Sequence, residues 1–167
     1  MISTTSFWKY FDEICKIPRS SGNCSAIIKH IEQFAKANNL DSNSDDAGNI
    51  VIRKPATIGM ESRPAIILQG HVDMVPQIAP GTIHDFTKDS IKYSEKDGKI
   101  FAQGTTLGAD NGVAVASMMA VLASTNMKHP ALECLFTVDE EIGMLGAFGL
   151  DSNALKGDVL LNLDSEE

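Results

Sequence analysis

Three short apolar runs constrain the fold of this chain most strongly, and each of them ends in ionisable side chains. The runs are "AIILQG" from residue 65, "ALECLFTV" from residue 131 and "DVLLNLD" from residue 158. A short, continuously apolar run is typical of a strand in a sheet that is covered on both faces. We therefore predict that all three runs are buried strands.

Helical patterns alternate with these strands. Apolar spacing predicts a first helix over residues 5–17, which Pro18 ends, and a second helix in "SSGNCSAIIKHIEQFAKANN". "NIVIRKP" predicts another strand, "IKYSEKDGKIFAQ" predicts a hairpin that turns at Asp97-Gly98, and "DNGVAVASMMAVLAS" predicts a third helix rich in small residues. The expected class is therefore α/β, with helices packed on a largely parallel or mixed central sheet.

Size and charge limit the function classes. A chain of 167 residues with 43% apolar composition can build one domain with its own core. Its 22 acidic and 14 basic residues give a formal net charge of -8, which argues against a nucleic-acid or anionic-membrane partner. The apolar run over residues 112–123 is shorter than the roughly 20 residues of a spanning helix. The start "MISTTSFWKYFDEICK" lacks a secretory pattern, so a cytoplasmic protein with reduced cysteines is expected.

The ionisable residues follow a positional pattern. His71 and Asp73 follow the first run, residues 139–141 follow the second, and Asp164 closes the third. Asp110 stands at the start of the third predicted helix. Ligands of open α/β sheets bind beyond the carboxyl ends of the strands, so these side chains are expected to meet in one place.

One imidazole among several carboxylates suits a divalent transition metal such as zinc, cobalt or manganese. A nearby dication would also turn the repulsion between the adjacent Glu140 and Glu141 into attraction. Taken singly, His71 could be a hydrogen-bonded structural histidine, Asp110 a helix cap and Asp164 a turn residue. The two glutamates could begin a solvated helix. Their joint placement at strand ends favours the metal site.

Four blocks of the sequence resemble a known family. They are "GHVDMVPQ", "TTLGADNGVAVA", "TVDEEIGMLGA" and "LLNLDSEE", and the upstream "IPRSSGN" is also similar. In this order they resemble the dinuclear metal aminopeptidases and carboxypeptidases that include carnosinase, peptidase T and the bacterial aminoacyl-histidine dipeptidases. "GADNG" with "DEEIGMLGA" is most similar to the aminoacyl-histidine (Xaa-His) dipeptidase branch. The combination is far more specific than any single block.

The resemblance implies a role for each site residue. His71 and Asp164 would hold one metal, Glu141 would hold the other, and Asp110 would bridge the two. Asp73 would orient the imidazole of His71. Glu140 would be the general base.

The resemblance also implies a reaction and a fold. The reaction would be hydrolysis of an unblocked dipeptide, of the Xaa-His type, by a water that bridges two divalent ions, most naturally zinc, with cobalt or manganese as alternatives. The fold would be a three-layer α/β/α phosphorylase/hydrolase-like core with a mixed central sheet, and the family carries a cis peptide at Asp110–Asn111.

By the same resemblance, residues 1–167 would be the N-terminal part of a metallopeptidase catalytic domain. A further metal ligand, a lid or dimerisation domain and the rest of the catalytic domain would lie beyond residue 167, in a parent protein that could be a homodimer. This part alone is then expected to be inactive.

Two alternatives stay open. An aminoacylase or deacetylase of the same family would share every block quoted, whereas a two-metal phosphoesterase fits less well because no basic residue is placed to hold a phosphate. From a different class, the chain could be a non-catalytic cation-binding module, whose function would survive the loss of Glu140.

Overall fold

The computed structural model describes residues 4–164 of the chain. The last three residues of the block "LLNLDSEE" lie outside this range. In chain order the elements are α1 (Thr4–Cys15), α2 (Ser25–Ala37), β1 (Asp41–Ser44), β2 (Ile50–Lys54), β3 (Ile66–His71), β4 (Tyr93–Lys96), β5 (Lys99–Ala102), α3 (Ala109–Ala123), β6 (Leu132–Thr137), α4 (Leu145–Phe148), a 3-10 helix (Ser152–Ala154) and β7 (Val159–Asn162).

The central sheet has five strands in the order β1-β2-β6-β3-β7. Strand β3 pairs in parallel with β6 on one side and with β7 on the other, whereas β2 pairs antiparallel with β6 and with β1. The sheet is therefore mixed, which confirms the expected fold class. Strands β4 and β5 form the separate hairpin predicted at Asp97-Gly98, where both residues have positive φ.

The three long helices cover one face of the sheet. Helix α3 packs on β3, α1 packs on α3, and α2 packs on β1 and β2. Alternate residues of the strands point to opposite faces, so Ile50 and Ile52 join the core beneath the helices. Val51, between them, packs on the opposite face, where Leu150 and Leu155 cover it. The small residues predicted in this helix let α3 approach β3 closely, since a Cβ at Gly70 of β3 would lie 2.7 Å from the Cβ of Ala114.

Two features of the strands were not anticipated. Strand β1, "DSNS", is polar and exposed, and its pairing with β2 comes from backbone hydrogen bonds. The prediction that "DVLLNLD" is a buried strand is wrong, because all four residues of β7 are exposed, with Leu160 at 52%. Among the described residues β7 pairs only with β3 and forms an edge of the sheet, so one of its sides is uncovered.

Two smaller expectations also have outcomes. Cys15, Cys24 and Cys134 are free, as expected of reduced cysteines, and all three are buried. No helix within residues 4–164 is both long enough and apolar enough to cross a membrane.

Candidate metal centre

The sheet topology brings three groups of site residues to one edge. His71 is the last residue of β3, and β3 lies between β6 and β7, both parallel to it. Glu140 and Glu141 follow the end of β6, and Asp164 follows the end of β7. Because the carboxyl ends of parallel strands meet at the same edge, all of these side chains reach one region.

His71 lies at the centre of this cluster. Its Nε2 is 3.1 Å from Oδ1 of Asp110, 3.7 Å from Oδ2 of Asp164 and 3.9 Å from Oε2 of Glu140. Two overlapping groups have ligand atoms within 4.8 Å of one another: His71 with Asp110 and Glu141, and His71 with Glu140 and Asp164. The structure thus brings together every residue for which the sequence suggests a role at a metal.

Asp73 connects the cluster to the chain around it. The carboxylate is fully buried and accepts hydrogen bonds from Nδ1 of His71 at 3.2 Å and Oγ of Ser21 at 2.7 Å. It also accepts from the backbone amides of Glu140 at 3.0 Å and Glu141 at 3.3 Å. One carboxylate therefore orients the imidazole and fixes the backbone of both glutamates.

The start of α3 is irregular where it delivers Asp110. The Asp110–Asn111 peptide bond is cis, as the family resemblance implies, and both residues have non-helical backbone angles. Within residues 4–164 no side-chain hydrogen bond caps α3, and the Asp110 carboxylate contacts His71, so Asp110 is not a helix cap. Asn111 donates from Nδ2 to Oδ1 of Asp164 at 2.8 Å and thereby orients that carboxylate.

The pKa values reflect crowding of negative charge. Burial lowers the pKa of His71, but the hydrogen bonds to Asp73 and Asp110 and the charges of Asp73 and Asp164 outweigh burial and raise it to about 9. Burial raises the pKa of Asp73, but its hydrogen bonds hold that pKa at about 2. Burial and the neighbouring carboxylates raise the pKa of Glu140 and of Glu141. The charge of His71 lowers both pKa values, but it offsets the increase only in part.

The donor set fits a divalent cation. One imidazole nitrogen and several carboxylate oxygens converge, which is a donor combination that zinc, manganese and cobalt accept. Among residues 4–164, the ion pairs of these carboxylates are with His71, and none is with a lysine or arginine. A dication would supply the missing positive charge and remove the repulsion that raises the glutamate pKa values.

Sequence reasoning missed three contributors. Arg19 contacts the site through backbone carbonyls, Ser21 bonds Asp73, and Asn111 bonds Asp164. Arg19 and Ser21 belong to the block "IPRSSGN", which the sequence marked as similar to the family but to which it gave no role. Asn111 lies between Asp110 and Gly112 in the quoted "GADNG", and it donates to Asp164, which is 53 residues away in the sequence.

The chain is similar to known proteins both as a member of a family and in matches to individual relatives. The model of "Peptidase family M20/M25/M40" matches residues 67–162. The chain is 49% identical over 166 residues to the cytosol non-specific dipeptidase of Escherichia coli, and the match covers 99% of this chain and 34% of that protein.

Solved structures show the same similarity. The aminoacylhistidine dipeptidase of Vibrio alginolyticus is 49% identical, with a TM-score of 0.95 over 100% of this chain and 35% of that one. A tripeptidase of Staphylococcus aureus is 28% identical, with a TM-score of 0.84 over 100% of this chain and 45% of that one. The chain thus spans between about a third and a half of the length of these relatives.

Proposed function

The chain belongs to peptidase family M20/M25/M40, and from this premise we propose that it carries most of the metal site of a dipeptidase. The observation that carries the proposal is the convergence of His71, Asp110, Glu141 and Asp164 at one edge of the sheet. These positions come from four separate segments of the chain. A structural role for each one alone would give no reason for their ligand atoms to converge.

Each site residue has a proposed role in holding the metal ions. His71 and Asp164 would hold one divalent ion, Glu141 would hold a second, and Asp110 would contact both, with zinc as the first candidate and cobalt or manganese as alternatives. Divalent ions bound there would acidify a water molecule and polarise the scissile carbonyl. Asp73 keeps the Nδ1 of His71 engaged, so that Nε2 is the nitrogen directed at the ion.

Glu140 is the proposed general base. Its Oε2 would accept the proton of the attacking water and pass it to the leaving amine. That oxygen lies 3.9 Å from Nε2 of His71, the nitrogen proposed to face the ion, so Glu140 stands beside the position where the water would react. Glu140 also falls in one of the two groups of converging ligand atoms, so its role must be separated experimentally from that of a ligand.

The proposed substrates are unblocked dipeptides, including Xaa-His. Support comes from the Escherichia coli and Vibrio relatives, which are named as dipeptidases and are each 49% identical to this chain. The name of the first relative includes "cytosol", which supports a cytoplasmic location. The tripeptidase similarity makes tripeptides the natural comparison substrate.

We also propose that the active enzyme is longer than these 167 residues. The relatives extend well beyond the matched part, and the apolar side chains of β7 are exposed at the sheet edge. The second ion has few ligands here, since only Glu141 and the shared Asp110 are proposed to hold it. Further chain would complete that ion's ligands and supply a lid or dimerisation domain, and residues 1–167 alone would have negligible activity.

A chimera tests the function. This chain would replace the matching segment of the Escherichia coli dipeptidase, and turnover would be measured on Xaa-His dipeptides with metal removed and then restored. Metal-dependent cleavage is expected. A folded, metal-loaded chimera that cleaves no dipeptide would refute the proposal, and cleavage of N-acetylated amino acids instead would favour an aminoacylase.

Two matched variants of the chimera separate the adjacent glutamates. Glu140→Gln should retain both ions and lose about 100-fold to 10,000-fold in kcat, the usual contribution of a positioned acid-base group. Glu141→Gln should lose metal and activity together. If Glu140→Gln empties a site while Glu141→Gln leaves both filled, the two roles are reversed; if neither changes turnover, the catalytic proposal fails.

A further inference from the structure

Arg19 is a buried cation that has no carboxylate partner among the described residues. It lies between α1 and α2, and only 2% of the residue is exposed. Burial lowers its pKa, but the ordinary pKa of a guanidinium is so high that the group stays charged at neutral pH. Burying a charge without an ion pair costs free energy. The hydrogen bonds of the Arg19 guanidinium must offset this cost, and their acceptors show which parts of the chain it holds.

Within residues 4–164, the side chain of Arg19 makes three hydrogen bonds, all to backbone carbonyls near the metal site. Nη1 donates to the carbonyl of Val72 at 2.8 Å and, more weakly, to that of Asp73 at 3.3 Å. Nη2 donates to the carbonyl of Gly108 at 2.5 Å. The first two carbonyls directly follow His71, and the third lies two residues before Asp110. One planar group therefore joins the segment after β3 to the start of α3.

Two glycines at the start of α3, Gly108 just before the helix and Gly112 in its first turn, independently support this contact. A Cβ at Gly108 would lie 2.4 Å from Nη2 of Arg19, and a Cβ at Gly112 would lie 2.8 Å from the same atom. Gly108 also has a φ of +67°. The chain thus has no side chain at either position where the guanidinium approaches α3.

We propose that Arg19 is a positioning residue that sets the distance between His71 and Asp110 and so prepares the metal site. The inference rests on the proposed metal site but concerns a residue that touches neither metal nor substrate. A guanidinium presents donors in fixed directions and can reach two segments at once, whereas a lysine ammonium is a point charge on a flexible stem. A lysine at position 19 would therefore keep the positive charge but would not hold both segments in place.

Three variants of the 167-residue chain test the proposal by zinc titration calorimetry. Arg19→Lys keeps the charge and removes the planar group. Gly112→Ala displaces the guanidinium by another route, although alanine favours a helix more than glycine does. Arg53→Lys is the control for the same substitution away from the site, because Arg53 donates to the Glu133 carboxylate and to the carbonyl of Ala154 at the opposite end of the sheet.

The first two variants should bind zinc about 10-fold to 100-fold more weakly, as is usual when groups that orient metal ligands are lost, and Arg53→Lys should bind as the native chain does. Native affinity in Arg19→Lys would overturn the proposal. If Arg19→Lys does not fold, Gly112→Ala decides by the same criterion.

Hydrogen exchange of the metal-free chain tests the positioning role of Arg19 independently of metal binding. The amide of Val72 donates to Thr137, and that of Gly112 donates to Gly108. Both amides should exchange faster in Arg19→Lys and at the native rate in Arg53→Lys. If the native chain binds no zinc but these amides respond, the metal proposal fails and the positioning role stands. Unchanged exchange at both amides would refute the positioning role.

Discussion

Gly70 is the position where a single added methyl group should disturb both the fold and the site. A Cβ there would lie 2.5 Å from Oδ1 of Asn111 and 2.7 Å from the Cβ of Ala114. Ordinary van der Waals contact begins near 3.4 Å, so Gly70→Ala requires α3 to move outward by roughly 1 Å. That movement separates the start of α3 from His71, the next residue of β3.

The expected change in the free energy of unfolding of Gly70→Ala has three contributions. Overpacking of a core costs about 1 to 3 kcal/mol. Displacing Asn111 also weakens its bond to Asp164, worth about 1 to 3 kcal/mol because the acceptor is charged. Alanine offsets about 0.5 to 1 kcal/mol, since glycine costs more conformational entropy in a strand. The net loss of unfolding free energy should be about 1 to 5 kcal/mol, with a middle value of about 3 kcal/mol.

Urea denaturation followed by far-UV circular dichroism measures this loss. The double variant with Ala114→Gly removes one of the two close contacts and should recover part of it, whereas Ala114→Gly alone should destabilise the helix slightly. Zinc affinity should fall in Gly70→Ala as Asp164 loses its orienting bond. A Gly70→Ala chain that unfolds at the native urea concentration would refute the close packing of α3 on β3.

The remaining predictions concern pH and the loop that carries the glutamates. In the metal-free chain the pKa of His71 is raised from 6.5 to about 9, so its stabilising contribution is complete below pH 6.5 and is lost as pH rises through 9. Urea denaturation with a chelator should show a loss of about 2 kcal/mol between pH 6.5 and 8.5, and stability that rises over this range would contradict the assignment. Asn49→Ala leaves the buried amide of Val138 and the carbonyl of Gly146 without the partner that Asn49 provides, so it should cost about 2 to 4 kcal/mol; a cost below 1 kcal/mol would show that Asn49 does not hold this loop.

The sequence allowed the strands that carry the site to be predicted because their physical signals are local. Continuous apolar runs identified β3 and β6, and the ionisable residues directly after them identified the carboxyl ends of these strands as the position of the site. Sequence order alone could not place β7 at the sheet edge, so its apolar residues were interpreted as buried. Strand β1 has no apolar side chain, and backbone pairing leaves no signature in residue type.

The same distinction applies to the site. His71, Asp110 and the adjacent glutamates are identified by residue type, because few side chains can bind a metal. The contacts that orient them are less visible. Arg19 donates to backbone carbonyls, which every residue has. Asp73 accepts hydrogen bonds from two backbone amides that lie 67 and 68 residues away in the sequence. Such contacts become apparent only once the chain is folded.

The most direct test of the central claim is anomalous diffraction at the zinc edge from crystals of this chain grown with zinc. The account predicts a peak at about 2.0 to 2.1 Å from Nε2 of His71 and at about 2.0 to 2.2 Å from a carboxylate oxygen of Asp110 or Asp164. A zinc peak elsewhere on the molecule, or well-ordered site residues with no peak between them, would contradict it.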